Sequence, residues 1–411
     1  MKSKKVLVIG FVWPEPTSSA AGWRMLQLID FFIENQYEVH FACAAHKSDF
    51  AFVFDATQVT EHEILLNDAS FDTFISELQP DVVVYDRFMI EEQFGWRVRE
   101  NCKQAIQILD TEDLHFVRKA REKAFKKQEE VNYHTDEMIR EVASILRCDL
   151  SLIISEVEMK MLQKQFHIPA EILMYLPFMQ ENISEADLDP LPNFEARTHF
   201  MFIGNFMHEP NWQTVLRLKR DIWPVLRKKL PKAEMHIFGA YPNPKALQLH
   251  KPAENFFVNG RAKDVNIEMQ KHKVLLAPIP FGAGIKGKFI DAMRNRLPSV
   301  TTQLGSESMQ ENTLWNGFIS DSDEDFIEKA VLLYTEESAW ETATQNGLSI
   351  LNATSNKNQY SELFKNRLTD LASNLDAYRK ANLFGEILRY QTNQATKYMG
   401  LWIQEKKKFK V

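Results

Sequence analysis

Gly282, Gly284, Lys286, Gly287 and Lys288 crowd into one short stretch of this chain. Glycine lets backbone N–H groups come close to a ligand, a helix opening at such a point adds partial positive charge, and two lysines add full charges. That combination suits a diphosphate. The same glycines also spell G-x-G-x-x-G, and Glu307 follows about 20 residues later, as a dinucleotide fingerprint asks. That rival reading leaves the lysines unexplained. It also meets Pro278 and Pro280 between strand and turn, where the fingerprint needs a tight passage.

The elements that must position this turn are legible as short apolar runs alternating with longer helical patterns. Val6–Ile9, Val39–Ala42, Val82–Tyr85, Ile106–Leu109 and Leu152–Ile154 read as strands in the first half. Phe200–Ile203, Met235–Phe238, Val274–Ala277 and Ser299–Thr302 do so in the second. The alternation predicts an α/β protein with doubly wound parallel sheets, whose ligands lie beyond the carboxyl ends of the strands. At 411 residues two domains are expected. The acidic, proline-bearing stretch from Gln180 to Asn193 marks the junction. The expected units are 1–190 and 194–380, with a terminal helix at 383–411.

This organisation resembles the GT-B glycosyltransferases, in particular the family 4-like branch (glycosyl transferases group 1). There a strand leads into a Gly-x-Gly-x-Lys-x-Lys turn, then a Glu-Ala-Met helix, a strand and a Gly-x-Glu turn. The counterparts are Gly282, Gly284, Lys286 and Lys288, then Asp291-Ala292-Met293, then Gly305-Ser306-Glu307. The resemblance implies two Rossmann-like domains facing a cleft, with an acceptor-side first domain, a nucleotide-sugar-binding second domain, and a terminal helix packed back on the first. It implies that Lys286 and Lys288 hold the diphosphate, that Asp291 reaches the ribose hydroxyls, and that Gly282, Gly284 and Glu307 line the site. Asp291 stands where the family usually has Glu, and Ala283 where many members carry a second glutamate.

Other expected site residues follow strand ends. Ser19 and Ala20 fill the turn after the first strand, which in the family lies near the transferred sugar. Asp110-Thr-Glu-Asp113-Leu-His115-Phe-Val-Arg118 follows another strand; acids there suit a helix start, whereas His115 and Arg118 oppose its dipole. The resemblance puts His115 on an acceptor hydroxyl and Arg118 on an anionic acceptor or donor phosphate. Gly204 and Asn205 would give the phosphates room, with Asn211 capping the next helix. Gly260 and Arg261 would read the base.

The implied reaction moves a sugar from a nucleoside-diphosphate sugar to a glycan, lipid-linked or small-molecule acceptor hydroxyl, with retention and without a metal or other cofactor. The alternatives are a dinucleotide-dependent oxidoreductase and an inactive relative that only binds nucleotide-sugar. A net charge of −7 argues against nucleic acid as a partner. Three scattered cysteines form no disulfide framework or zinc site, and a cytoplasmic location is expected. Asp321-Ser-Asp323 reads as a helix start rather than a metal motif. The Leu401–Lys410 tail suits a solvated helix end, with a weak peripheral membrane contact as its second reading.

Overall fold

The computed structural model describes residues 3–310 and 313–408. Two parallel sheets organise it. The first contains β1 (Lys5–Gly10), β2 (Glu38–Cys43), β3 (Val59–Glu63), β4 (Val82–Asp86), β5 (Ile106–Asp110), β6 (Leu150–Ile153) and β7 (Leu173–Tyr175) in the order β3-β2-β1-β4-β5-β6-β7. The second contains β8 (Thr198–Ile203), β9 (Met235–Phe238), β10 (Phe256–Gly260), β11 (His272–Ala277), β12 (Ser299–Thr301) and β13 (Gly317–Ile319) in the order β10-β9-β8-β11-β12-β13.

Both orders reverse direction next to the first strand of their sheet, between β1 and β4 and between β8 and β11. A crevice opens at such a switch point because the loops on either side lead to helices on opposite faces. The central strands are apolar on both faces: β4 is buried throughout, as is β11. They therefore appear in the sequence as continuous apolar runs. β3 reads Val-Thr-Glu-His-Glu and is largely exposed, so it carries no such signal; it is an edge strand paired only with β2. β13, with three half-buried residues at the other edge, is equally faint.

The chain crosses between the lobes twice at one place. The backbone N–H of Gln180 donates to Ser355, and that of Lys357 donates back to Gln180. After the second crossing, helix Lys357–Ala381 packs Tyr360, Phe364, Leu368, Leu371 and Leu375 into the apolar cluster of the first sheet. The return to the first lobe therefore begins near 356, well before the terminal helix at which it was expected. Helix Leu383–Lys408 continues along the same lobe, with Arg389 donating to the Arg147 carbonyl and Lys397 paired with Glu100. The end of the lysine-rich tail, 409–411, lies outside the described residues.

Phe364 is fully buried and its ring lies 4.6 Å from that of Phe31. Removing a buried aromatic side chain costs about 3–5 kcal/mol. Phe364→Ala should therefore lower the unfolding free energy from urea melts by that amount, whereas Leu363→Ala at the exposed neighbouring position should stay within about 0.5 kcal/mol of wild type.

Candidate active site

The carboxyl ends of the two sheets enclose a cavity of about 1000 Å³. Its second-lobe wall begins where β11 ends. Gly282 and Gly284 adopt positive φ (159° and 62°), so the chain turns sharply before helix Gly287–Arg294. Lys286 stands at the N-cap and Lys288 in the first turn. Both line the cavity.

The lysines are the electrostatic centre of this wall. Lys286 Nζ donates to the Gly284 carbonyl at 3.0 Å, and Lys288 Nζ to Asn211 Oδ1 at 2.8 Å. Neither makes an ion pair among the described residues. Burial lowers Lys286 to about 8 and Lys288 to about 7, the latter also repelled by Lys286. An anion between them would reverse that shift.

Asp291, one turn along the helix, also lines the cavity; burial raises its carboxyl to about 6. Gly204 ends β8 and leaves room for Asn211, whose side-chain Cγ would lie 2.5 Å from a Cβ added there. Asn211 is not the helix cap. Helix Glu209–Arg217 has His208 at its N-cap, and Asn211 instead spans from the Asn205 carbonyl (2.9 Å) to Lys288. Asn205 accepts from the Met207 N–H at 2.8 Å, which holds the loop in place.

On the first-lobe wall, Ser19 caps helix Ala20–Glu34 and Ala20 begins it. Both line the cavity, together with His115 and Arg118. Arg118 is not a free anion receptor: it binds Asp113 Oδ1 at 2.6 Å. Burial opposes ionisation of Asp113, but Arg118 and then His115 draw it down to about 2. Burial holds His115 down to about 3, so its imidazole is neutral and can exchange hydrogen bonds with a hydroxyl. His208 of the opposite lobe, an exposed residue, is a second cavity-lining imidazole, lowered to about 4 by partial desolvation in the cleft and then by Arg118. Its loop offered only a Gly and a Pro-Asn as signals, so sequence reasoning passed over it.

Four expected residues lie elsewhere. Gly284 is buried outside the cavity lining, and its N–H is taken by Glu158 rather than left for a phosphate. Glu307 is turned to Arg121 of the first lobe at 2.7 and 2.9 Å, with Arg121 also donating to the Gly282 carbonyl at 2.8 Å. Gly260 lies outside the cavity lining and sits at a register shift in β10, where it accepts from the Gly239 N–H at 2.8 Å. Arg261 crosses to the first lobe, donating to Ser18 Oγ at 2.6 Å and stacking on Phe50 at 3.7 Å. Arg261 and Glu307 join the lobes in this closed arrangement. Glu158 acts with them: it accepts the Gly284 N–H at 2.8 Å. So does Tyr241, which donates to Glu15 at 2.7 Å.

Folding also brings His199, Glu234 and His236 together at the amino-terminal ends of β8 and β9, far from this cleft, with ligand-type atoms within 4.8 Å of one another. The Glu234 N–H donates to His199 Nδ1 at 3.2 Å, which puts the proton of the neutral ring on Nε2. His236 Nε2 meets Glu234 at 2.9 Å. Hydrogen bonds thus account for the group. Asp321 accepts the Gln303 N–H, Ser322 caps helix Asp323–Thr335, and Asp323 pairs with Arg217.

Comparisons with known proteins agree with this geometry. The profile of the family described as Glycosyl transferases group 1 matches residues 197–336. An uncharacterized 44.6 kDa protein in the cps region of Klebsiella pneumoniae is 24% identical over 226 residues. The match takes in 53% of this chain, and the chain spans only 55% of that relative. Sucrose-phosphate synthase from Thermosynechococcus elongatus superposes with a TM-score of 0.67 at 12% identity, covering 90% of this chain and 99% of that one. HepE from Anabaena, in complex with UDP and glucose, superposes with a TM-score of 0.64 at 12% identity, covering 89% and 99%. TarM from S. aureus, in complex with UDP and other ligands, superposes with a TM-score of 0.58 at 12% identity, covering 72% of this chain and 58% of its own. The fold is therefore GT-B.

A Cβ added to Gly287 would stand 2.5 Å from the Cβ of Ala20 across the cleft. Gly287→Ala should therefore hold the lobes slightly apart. Because about 1 Å of misplacement can cost on the order of a hundredfold in rate, turnover should drop by at least about tenfold while the unfolding midpoint moves little. Steady-state assays beside thermal melts test this; unchanged turnover would show that the contact does not matter.

Proposed function

We propose, for a chain whose residues 197–336 match the family described as glycosyl transferases group 1 and whose fold is GT-B, that it is a glycosyltransferase moving a sugar from a nucleoside-diphosphate sugar to an acceptor hydroxyl. The observation carrying this reading is the pair of half-buried ammonium groups, Lys286 and Lys288, lining the cleft with no ion pair to a carboxylate among the described residues. A buried charge needs compensation, and a diphosphate supplies it. As the bond to the sugar breaks, charge builds on the leaving diphosphate, and fixed cations already in place lower that barrier. Asp291 is positioned to accept from ribose hydroxyls. Ser19, Ala20, His115 and His208 border the space left for the transferred sugar and acceptor.

Structural neighbours bound to UDP or UDP-glucose support UDP as the first donor fragment to test. Retention of configuration, and charge neutralisation by lysine rather than a metal, are further parts of the proposal supported by family likeness. The acceptor is a glycan, lipid-linked or small-molecule hydroxyl. A cytoplasmic setting is proposed with it; no helix among the described residues is long and apolar enough to cross a membrane. The dinucleotide reading is disfavoured because β11 ends at Ala277 and the next helix starts at Gly287, too long a passage for that fingerprint.

Two outcomes test the reading. UDP should raise the melting temperature of wild type, and Lys286→Ala/Lys288→Ala should abolish that shift and reduce sugar transfer by about a hundredfold or more. An undiminished UDP shift in the double variant rules out the phosphate assignment, and UDP binding without sugar transfer to any acceptor tried favours an inactive relative. The second outcome concerns pH. Both lysines bind anion as ammonium, and burial holds their free values near 8 and 7. UDP affinity should be full below Lys288's free value and decline as pH rises through both. Calorimetry in buffers of different ionisation enthalpy should detect proton uptake on binding near pH ~8, and none in the double variant.

A further inference from the structure

Glu112 is a polar side chain of the first-lobe wall that the reading above leaves unused. It follows the end of β5 and lines the cavity. Its φ is +62°, a left-handed conformation that disfavours a long side chain. One carboxyl oxygen, Oε1, is buried and has no hydrogen-bond partner. Its carboxyl stands among Asp110, Asp86, Arg87 and Arg24.

Those four neighbours are largely matched with each other. Arg24 grips Asp110 at 2.8–3.1 Å and also donates to the Leu176 carbonyl. Asp86 accepts the Phe11 N–H at 2.9 Å and has Arg87 at 3.4 Å. Arg87, at the end of the adjacent strand, is itself held at φ 72° and ψ 156°, and its N–H donates to the Asp110 carbonyl at 2.8 Å. Two strained residues thus stand side by side at the mouth of β4 and β5. Strain of this kind costs about 1–3 kcal/mol per residue and collects at ligand-binding sites. Glu112 also adjoins the donor loop: its carbonyl oxygen lies 3.6 Å from where a Cβ on Gly284 would be.

We propose that Glu112 is an acceptor-binding residue, holding a hydroxyl of the incoming sugar on the first-lobe wall beside the diphosphate loop. The inference rests on the transferase reading and extends it to the acceptor: a neutral, hydroxyl-bearing sugar unit. Burial, together with repulsion from Asp110 and Asp86, pushes the Glu112 carboxyl well above its ordinary range. A neutral carboxyl offers one donor and one acceptor, which is what a hydroxyl needs on its partner.

Glu112→Gln keeps both capacities and Glu112→Gly removes them while accepting the positive φ. The probes are UDP and the p-nitrophenyl glycosides of glucose, galactose, mannose and N-acetylglucosamine, with glycoside binding read by saturation-transfer NMR in the presence of UDP. Affinity for UDP should be the same in all three proteins. At least one glycoside should bind wild type, bind Glu112→Gln within a few-fold, and bind Glu112→Gly about tenfold or more weakly. Glu112→Gly should also melt about 2–4 °C higher, because strain and an unsatisfied buried oxygen disappear together. Three results would overturn the proposal: a lower melting temperature for Glu112→Gly, undiminished glycoside binding by it, or binding of UDP but no glycoside by wild type. Failure of wild type to bind UDP at all would instead defeat the donor reading.

Discussion

Two ammonium groups half-withdrawn from water, with no ion pair to a carboxylate among the described residues, are the constraint around which the cleft is built. Lysine is ordinarily solvated, and burying it costs free energy that shows here as a lowered affinity for its proton. The local structure leaves that cost unrelieved. Lys286 donates to a carbonyl, and Lys288 donates to an amide oxygen and lies 5.0 Å from the Phe202 ring. The nearby acids are engaged elsewhere, Glu307 with Arg121 and Asp113 with Arg118. With the acids nearest Lys286 paired to arginines, the two lysines are left for an anionic visitor.

The glycines around the lysines do two different jobs. Gly284, at positive φ, bends the chain and brings it against Asp113; a Cβ there would come within 2.7 Å of Asp113 Cβ. Gly287 has no unusual backbone, yet it admits Ala20 of the other lobe. One turn therefore both faces the ligand and forms the contact between lobes. Glu158 ties these functions together. It accepts N–H groups from Leu114 of its own lobe and Gly284 of the other, and burial raises it to about 7. Closure of the lobes and the electrostatics of the donor loop are thus coupled through one side chain.

Much of the architecture could be read from residue patterns because strands buried on both faces are apolar throughout, as β4 and β11 are. β3 escaped because an edge strand with a wet face can be built from Thr, Glu and His. The donor loop was legible because its residue types serve one local purpose at one place in the chain. The partners that complete it were not. Glu307 was assigned to the ligand on its spacing, but Arg121 lies 186 residues away and nothing local announces their pairing. Asn211 had the residue type of a helix cap and became a bridge to Lys288. Arg261 was expected at the base and became an interlobe strut. Each error has the same origin: a side chain's partner is fixed by the packing of two lobes, which linear spacing does not encode.

His208 and Glu112 show the complementary failure. Neither belongs to a motif, and each has an ordinary local explanation, the one beside a helix start and the other in a run of acids. Their significance lies in what surrounds them. His208 is an exposed residue whose protonated form is disfavoured by partial desolvation in the cleft and by Arg118, Lys288 and Arg87 around it. The Glu112 carboxyl is pushed above its ordinary range by burial and then by Asp110 and Asp86, whose own arginines offset this only in part. The lysines thus stand without ion pairs among the described residues, while His115 on the first-lobe wall and His208 on the second line the same cavity with imidazoles that can both give and take hydrogen bonds.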